Sequence, residues 1–410
     1  MTGAGRSGLL PVEDALVRIL AAAETFPKDV EMVPVAEADG RVLAGDLVAL
    51  RSQPPADVSA MDGYALQAAD TDPPGKPLRL IGESAAGHPF SGAVQPGEAV
   101  RIFTGAVVPP GANAVLLQER AAAREGTVCS EITLAPGTFV RRAGRDFKAG
   151  EIGLRAHLRL TPGRIALAGA MNHAEIPVFR RPRVAILATG DELVAAGATS
   201  APDAIVATNA FAIAAMARAA GAEVRDLGIA RDTESSLNAA FDVAEGWPAD
   251  VLVTIGGASV GKHDLVRPVA AARGAKLDFY KIAMRPGKPL NFGRLGAILL
   301  VGLPGNPVSA LVCARLFLMP LLAALQGDGE AGADVGEPAF LGRALPANDE
   351  RQDYLRATLT RDADGRLIAT PPGDQDSSLL SVYAGASALV IRPPFAPEAT
   401  TGSPCRILKT

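Results

Sequence analysis

The chain has 410 residues, of which 48% are hydrophobic and 20% charged, and this composition excludes an intrinsically disordered protein and allows several packed cores. A net charge of −4 gives no support for a nucleic-acid or membrane-surface partner. The cysteines, Cys129, Cys313 and Cys405, lie far apart, which fits a reducing compartment and excludes a zinc site built from cysteines. The histidines are equally scattered, so a histidine metal centre is not expected.

The first part of the chain predicts a helix followed by a β-rich module. Apolar residues recur at helical spacing over 12–24, whereas residues 58–145 contain short apolar runs between Gly/Pro clusters. Within the module, Asp62 stands in the motif MDGYA and Thr104 in RIFTGA, each directly before a glycine. Asp146 follows in the arginine-rich stretch RRAGRDF. Taken singly, the first two motifs most often mark turns and the third a solvated basic loop.

The stretch 251–264, VLVTIGGASVGKHD, joins an apolar run typical of a buried strand to a glycine-rich loop. Asp264 then opens an apolar-periodic segment that predicts a helix to 272. Free backbone N–H groups at a helix N-terminus form an anion-binding arrangement. A tight turn capped by an aspartate explains the same residues, so this loop alone does not decide between the two interpretations.

The region from 183 to 327 alternates strands and helices, which indicates a mainly parallel sheet with helices on both faces. The predicted strands cover 184–188, 223–230, 251–255, 277–283 and 297–301. Ligands of such sheets bind beyond the carboxyl ends of the strands. The polar residues just past these ends are Glu192, Asp232, Ser259, Asp264, Lys281, Arg285, Lys288 and Asn306.

Helix boundaries in this region carry specific signals. Thr208 or Asn209 is predicted to cap an alanine-rich helix that ends at Gly221, and Asn306 is the predicted N-cap of the next apolar helix. Residues 307–326 are long and apolar, and we interpret them as a buried helix rather than a membrane span. Residues 328–337 read as a linker, and 338–410 as a small all-β domain with a hairpin turn at DADG.

Carboxylates and cations around glycine-rich loops suit Mg²⁺ and a phosphorylated substrate. No Walker lysine motif, no GxGxxG after a first strand and no nucleophile elbow is present, which counts against a P-loop NTPase, a dinucleotide enzyme and a serine hydrolase. The residues alone therefore indicate a Mg²⁺-dependent enzyme that acts on a phosphorylated or nucleotide substrate.

Six motifs occur in the order found in the molybdopterin molybdenumtransferases: MDGYA, RIFTGA, ATGDEL, TIGGASVGKHD, MRPGKP and VGLPGNPVSA. The chain therefore resembles this family of molybdenum-insertion enzymes, which includes the C-terminal domain of gephyrin, and the resemblance covers nearly the whole chain. It implies a Mg²⁺-dependent transferase, and the cysteine usage predicts a cytoplasmic location. In the implied reaction, adenylylated molybdopterin and molybdate yield molybdenum cofactor and AMP.

The resemblance also implies an α/β multidomain architecture. A doubly wound, mainly parallel molybdopterin-binding domain (178–328) is accompanied by an inserted β-rich module (48–146), an elongated dimerisation domain (1–47 and 147–177) and a C-terminal β barrel (335–410). It further implies a homodimer with active sites shared between subunits, because the β module of one subunit lies against the α/β domain of the other. Other cofactor-biosynthesis proteins are further candidate partners, and neither nucleic acid nor membrane is expected.

Site residues follow from the resemblance position by position. The catalytic groups fall on Asp62, Thr104, Asp146, Glu192, Asp232, Asp264 and Lys281. The substrate-binding positions are Thr189, Gly190, Asp191, Gly256, Gly257, Ser259, Gly261, Arg285, Lys288, Pro304, Gly305, Asn306, Ser309, Arg356 and Ser381. The implied Mg²⁺ ligands are Asp191 and Asp264. The chain departs from the family at Lys262-His263, where Glu followed by Ala or Lys is more usual, and in a loose C-terminal serine motif.

Two alternatives stay open at the level of sequence. A molybdopterin adenylyltransferase shares the α/β domain, but its glycine loop resembles GGTG and it lacks the domains at 24–177 and 338–410. A scaffold that keeps the fold and only binds a partner peptide is the second alternative. Consumption of ATP rather than adenylylated pterin would identify the adenylyltransferase. The sequence does not indicate whether molybdate or tungstate is preferred.

Overall fold

The computed structural model describes residues 8–198, 202–257 and 265–410. The helices of these ranges are α1 (Val12–Glu24), α2 (Pro162–Ala170), α3 (Thr208–Ala219), α4 (Glu234–Gly246), α5 (Val266–Ala272), α6 (Pro307–Cys313), α7 (Met319–Leu325) and α8 (Leu380–Ala384). A π-helical turn, Ala314–Leu318, joins α6 to α7, so that they form one long helix. The predicted helix at 12–24 is confirmed.

The chain divides into two compact units, one formed by Met1–Glu31 with Phe179–Thr410 and the other by Met32–Val178. The strands up to the unit boundary at Phe179 are β1 (Val30–Pro34), β2 (Leu47–Val48), β3 (Val58–Ser59), β4 (Gly63–Leu66), β5 (Pro77–Ser84), β6 (Glu98–Ile102), β7 (Ala114–Leu117), β8 (Ala121–Arg124), β9 (Thr127–Ser130), β10 (Val140–Arg141), β11 (Ile152–Leu154) and β12 (Glu175–Phe179). We refer to Met32–Val178 as the inserted unit and to the other as the main unit.

The inserted unit contains a six-stranded sheet in the order β7-β4-β6-β5-β9-β8, which confirms the predicted β-rich module. Alternate strand residues such as Leu66, Leu78 and Leu116 are buried and form its core. A second apolar cluster joins two distant stretches of chain, since Leu43 and Leu47 pack with Leu154 and Ile176. Neither stretch alone supplies enough apolar surface for this cluster.

The remaining strands belong to the main unit: β13 (Arg183–Thr189), β14 (Leu193–Val194), β15 (Ile205–Val206), β16 (Glu223–Ala230), β17 (Val251–Ile255), β18 (Lys276–Phe279), β19 (Met284–Arg285), β20 (Asn291–Leu295), β21 (Ile298–Leu303), β22 (Glu337–Leu341), β23 (Gln352–Arg361), β24 (Leu367–Thr370), β25 (Ala388–Arg392) and β26 (Pro404–Lys409). The predicted strands 223–230 and 251–255 match β16 and β17 residue for residue. The predicted strand 277–283 is too long, because β18 ends at Phe279.

The central sheet of the main unit has the order β16-β13-β17-β21-β20-β18. Its first four strands are parallel, β20 is antiparallel to β21, and β18 is antiparallel to β20 and so runs in the same direction as β21. The mainly parallel sheet is therefore confirmed, although β20 was not predicted. All five residues of β17 are buried, as expected for a strand covered on both faces.

Helices cover both faces of this sheet, as the doubly wound fold requires. One core includes buried residues of α1, α3, α6 and α7, among them Ile19, Ile213 and Leu311. The opposite core includes Leu237 and Phe241 of α4 with Val269 of α5. Pro307–Leu325 is long and apolar enough to cross a membrane by length and composition, but 67% of that segment is buried inside the protein, where it packs as a core helix.

The C-terminal strands form a barrel. Strands β23, β24, β22, β26 and β25 pair in that order, and β25 pairs again with β23 to close it. The predicted hairpin is confirmed, since β23 and β24 are antiparallel and Asp362 Oδ1 accepts the N–H groups of Asp364 and Arg366 in the turn. Strand β19 joins the outer edge of β23 in parallel, so the stretch that holds Arg285 is fastened to the barrel.

Candidate active site

Three parallel strands of the central sheet end level with one another. Ala188 pairs with Ile255, and Ile255 pairs with Leu303, so the loops that follow β13, β17 and β21 leave the sheet at one edge. These loops contain the predicted substrate-binding positions Thr189, Gly190, Asp191, Gly256, Gly257, Pro304, Gly305 and Asn306. We call this edge, with its loops, the carboxyl edge.

Close backbone packing explains the glycines at the carboxyl edge. Gly256 has φ +92°, and a Cβ there would lie 2.6 Å from the carbonyl oxygen of Thr189. The N–H of Gly256 donates to Leu303 O at 3.1 Å, which extends the sheet by one residue. A Cβ on Gly305 would lie 3.8 Å from the Cα of Gly256. The loops therefore approach each other too closely at Gly256 for any larger residue.

The acidic corner of the carboxyl edge lies where β13 and β16 end. Asp191 Oδ1 accepts the backbone N–H of Asp232 at 3.2 Å, and Arg231 Nη1 donates to the carbonyl oxygen of Asp191 at 2.5 Å. The carboxylate of Glu192 covers Gly190, where a Cβ would lie 2.6 Å from Oε2. Asp191, Glu192 and Asp232, which the sequence singled out, thus follow β13 and β16 at the same corner of this edge.

Two asparagines at helix starts make long-range contacts. The predicted cap of α3 is wrong, because Ala207 occupies the N-cap position and Asn209 Nδ2 donates to Gly305 O at 2.7 Å. Asn306 does occupy the N-cap position of α6, but it makes no capping bond, and its Nδ2 donates to Ser377 Oγ at 2.9 Å. Both side chains therefore fix the loop after β21. By contrast, α4 begins with a side-chain cap, since Thr233 Oγ1 accepts the Ser236 N–H.

Lys281 follows the end of β18 and so belongs to the carboxyl edge. Its Nζ lies 5.1 Å from the centre of the Tyr280 ring, and it has no ion-pair partner among the residues that the structure describes. Lys288 is exposed and lies just beyond it, while Ser309, 5% exposed, is covered within α6. Lys281 is therefore available to bind an anion.

Arg285 already has acidic partners. Its Nε and Nη2 donate to the two carboxylate oxygens of Asp353 at 2.9 and 2.7 Å, and Asp349 lies 3.6 Å from Nη1. Arg351, with a smaller contribution from Arg285, holds the pKa of Asp349 at about 2, well below its usual range. Asp353 is 3% exposed, so this ion pair is largely shielded from water and fastens the loop to the barrel. Because Asp353 occupies Nε and Nη2 of Arg285, these two donors are not free to bind a substrate anion.

Substitution Arg285→Ala is expected to destabilise the main unit. It leaves the Asp353 carboxylate buried without its bidentate partner, at a cost of about 1–3 kcal/mol in the free energy of unfolding. Arg18→Ala, which removes the exposed pair with Asp278, is expected to cost at most ~1 kcal/mol. Urea unfolding of both variants measures the difference, and equal losses would contradict the structural role of Arg285.

Arg356 and Ser381, the predicted barrel contributions, have different surroundings. Arg356 is 1% exposed, Nη2 donates to Asp376 O at 2.8 Å, and Nε is covered without a partner. Burial lowers the pKa of this guanidinium. Ser381 lies exposed on α8. Arg356 is therefore buried within the barrel domain, whereas Ser381 faces solvent.

In the inserted unit, the structure brings Asp62 and Thr104 together. The backbone N–H and the hydroxyl of Thr104 both donate to Asp62 Oδ1, at 2.8 and 2.7 Å. These bonds, with the nearby charge of Arg101, lower the pKa of Asp62. Asp62 is therefore held as an exposed carboxylate, fixed in orientation, although the two residues lie far apart in the sequence.

Other polar residues of the inserted unit make contacts that the motifs did not predict. Arg101 stacks between Tyr64 and Phe103, with its Cζ 4.9 and 5.0 Å from the ring centres. Asp57 accepts bonds from Arg142 Nη1 at 2.5 Å and from the Ala143 N–H at 2.9 Å. The predicted residue Asp146 is exposed, and its N–H donates to Gln53 O. The arginine-rich stretch is exposed to solvent, as the sequence indicated, and its contacts with Asp57 and Gln53 fix its backbone.

Ser259, Gly261 and Asp264 lie outside the described residues, so their roles stay predictions. Within the described ranges, no three His, Cys, Asp or Glu side chains form a metal-binding group. A surface cavity of about 440 Å³ opens at the opposite edge of the sheet, before β17 and β21, and is lined by Phe26, Asp250, Arg273 and Ile298 among others. It is far along the strands from the candidate residues.

Matches to known protein families cover the chain almost from end to end. Three family descriptions match in succession: "MoeA N-terminal region (domain I and II)" over 10–171, "Probable molybdopterin binding domain" over 185–324, and "MoeA C-terminal region (domain IV)" over 338–409. The Haemophilus influenzae molybdopterin molybdenumtransferase is 35% identical over 367 residues, which cover 89% of this chain and 90% of that protein. The chain belongs to the molybdopterin molybdenumtransferase family.

Other relatives agree with this assignment. Molybdopterin molybdenumtransferase 2 of Mycobacterium tuberculosis is 35% identical across 92% of this chain and 94% of its own length. The crystal structure of the molybdopterin biosynthesis MoeA protein from Pyrococcus horikoshii OT3 superposes with a TM-score of 0.83 at 28% identity, covering 98% of this chain and all of that one. This member of the molybdenumtransferase family thus shares the whole multidomain fold, barrel included.

Proposed function

We propose that this chain inserts molybdate into adenylylated molybdopterin in a Mg²⁺-dependent reaction that releases molybdenum cofactor and AMP. The observation that supports this most directly is the extent of the match, because named molybdenumtransferases align with the inserted unit and the barrel as well as with the α/β domain. An adenylyltransferase limited to the α/β domain would not require those parts. The adenylyltransferase alternative is accordingly not favoured.

The carboxyl edge supplies the groups that this reaction needs. Backbone N–H groups of loops at such an edge can bind phosphate oxygens, and Lys281 adds a cation without an acidic partner among the described residues. The carboxylates of Asp191, Glu192 and Asp232 lie beside these loops. Catalysis in this arrangement rests on positioning and electrostatic stabilisation rather than on a covalent nucleophile.

The acidic residues at this edge fit Mg²⁺, because the ion is commonly bound by one or two protein carboxylates together with substrate oxygens and water. Asp191 has an exposed carboxylate with one oxygen engaged by the N–H of Asp232, and Asp264 would supply the second ligand. Bound there, the ion would offset the charge of the phosphoanhydride. The chain's own groups orient that substrate at the edge of the sheet.

We also propose a homodimer whose active sites combine Asp62 and Thr104 of one subunit with the carboxyl edge of the other. The predicted residues fall into two structural units of the chain, and the family resemblance implies that these units meet across subunits. The cysteines Cys129, Cys313 and Cys405 are free thiols, which supports a reducing, cytoplasmic location. Asp146, Arg356 and Ser381 remain proposed contributors to substrate binding or catalysis.

The test is AMP release from pure protein supplied with adenylylated molybdopterin, molybdate and Mg²⁺. Lys281→Ala is expected to raise the molybdate concentration needed for half-maximal rate about ten-fold or more, because one charge-assisted contact is lost. Lys276→Ala is the matched control, since Lys276 begins β18 at the opposite edge of the sheet. Consumption of ATP, or no AMP from the wild-type protein, would contradict the proposed function. An unchanged molybdate response would remove Lys281 from the site.

A further inference from the structure

Two cations contact the ring of Tyr280 at the carboxyl edge. Arg267, in the first turn of α5, places its Cζ 4.8 Å from the centre of the Tyr280 ring, and Lys281 Nζ lies 5.1 Å from the same centre. The two charges are therefore at most about 10 Å apart, within about one Debye length at physiological ionic strength. Such a pair of like charges produces a positive potential that attracts an anion.

The charge of Arg267 is not compensated by any of the residues that the structure describes. No ion pair involves its guanidinium there, and its Nε is covered without an acceptor. Asp278, the acidic residue closest along β18, is bound to Arg18 at 3.1 Å. A covered donor without a partner costs free energy. An anion bound close to both cations would offset the repulsion between their charges.

We propose that Arg267 binds a tetrahedral oxyanion of the substrates together with Lys281, and that Tyr280 positions both cations. The oxyanion is either molybdate or the phosphate of the adenylylated pterin, which share charge and shape. Arg267 thus has the anion-binding role that the sequence motifs suggested for Arg285. The guanidinium of Arg285 is instead bound to the Asp353 carboxylate. The identity of the anion rests on the proposed function. The test of the proposal measures binding and does not depend on that function.

The experiment measures binding of molybdate alone and of AMP alone, each with Mg²⁺, by calorimetry on the full chain. Arg267→Gln is expected to weaken one or both anions about ten-fold or more, and Arg267→Lys to restore part of the loss because the charge returns. Weaker binding of molybdate would assign the subsite to molybdate, and weaker binding of AMP would assign it to the phosphate. Since no turnover is required, the result stands apart from the AMP-release assay.

Arg225→Gln is the matched control, because Arg225 also stacks on an aromatic ring, 5.8 Å from the centre of Trp247, on the amino-terminal half of β16. Tyr280→Phe is expected to keep anion binding and Tyr280→Leu to weaken it, since only the ring positions the cations. Thermal unfolding confirms that each variant is folded. Unchanged binding of both anions in Arg267→Gln, equal losses in Arg225→Gln, or no anion binding by the wild type would overturn the proposal.

Discussion

Asp62→Ala and Asp264→Ala are each expected to abolish AMP release, and a mixture of the two inactive proteins is expected to regain activity. Thr104 holds Asp62 by two bonds to one carboxylate oxygen, so the free oxygen points in a defined direction. Asp264, which lies outside the described residues, follows the glycine loop in the sequence and precedes the start of α5 by two positions. The two residues belong to different parts of the chain, as a site shared between subunits requires.

The expected recovery can be stated as a fraction. After free exchange of equal amounts, half of the dimers are mixed, and each mixed dimer has one site with both aspartates, so about one quarter of the wild-type activity returns. If each site lay within one chain, every site would lack one aspartate and nothing would return. AMP release before and after confirmed subunit exchange distinguishes these results.

A mixture of Asp62→Ala with Thr104→Ala serves as the control. Both residues lie in the inserted unit, so every site of a mixed dimer lacks one of them and no recovery is expected. Recovery in this control, or none in the test mixture, would contradict the shared site. A monomer in sedimentation analysis would contradict it as well.

Local sequence patterns predicted the elements better than they predicted side-chain partners. Strand β17 is recognisable because a run of buried apolar residues suffices, and Thr233 caps α4 because a cap needs only neighbours three residues away. Asn209 carries the same local signal but bonds to Gly305, 96 residues further along the chain. No local pattern contains that partner, so its role required the fold.

The basic residues of the candidate site show the same limit. Arg285 lies in a motif with an expected role, yet β19 pairs with β23 and brings it to Asp353, 68 residues away. Arg267 belongs to no motif that was singled out. Its only sequence signal was a cation in the first turn of a helix after a glycine loop, which is unfavourable unless an anion is near.

Gly256→Ala is expected to reduce AMP release about a hundred-fold, and Gly274→Ala is expected to leave it nearly unchanged. The two glycines have φ +92° and +89°, so an alanine pays a similar backbone penalty of about 1–2 kcal/mol at either position. Their surroundings differ, because a Cβ on Gly256 would lie 2.6 Å from Thr189 O, whereas Gly274 has nothing within 4 Å of that position.

The difference in activity between the two variants therefore measures the effect of the close contact between the loops after β13 and β17. An alanine at 256 must push Thr189 away, and a displacement of about 1 Å among positioned groups costs on the order of a hundred-fold in rate. Urea unfolding gives the stability of each variant, and AMP release at saturating molybdate gives its rate. If both variants lost the same stability and the same activity, backbone strain alone would explain Gly256, and close packing at the carboxyl edge would have no part in catalysis.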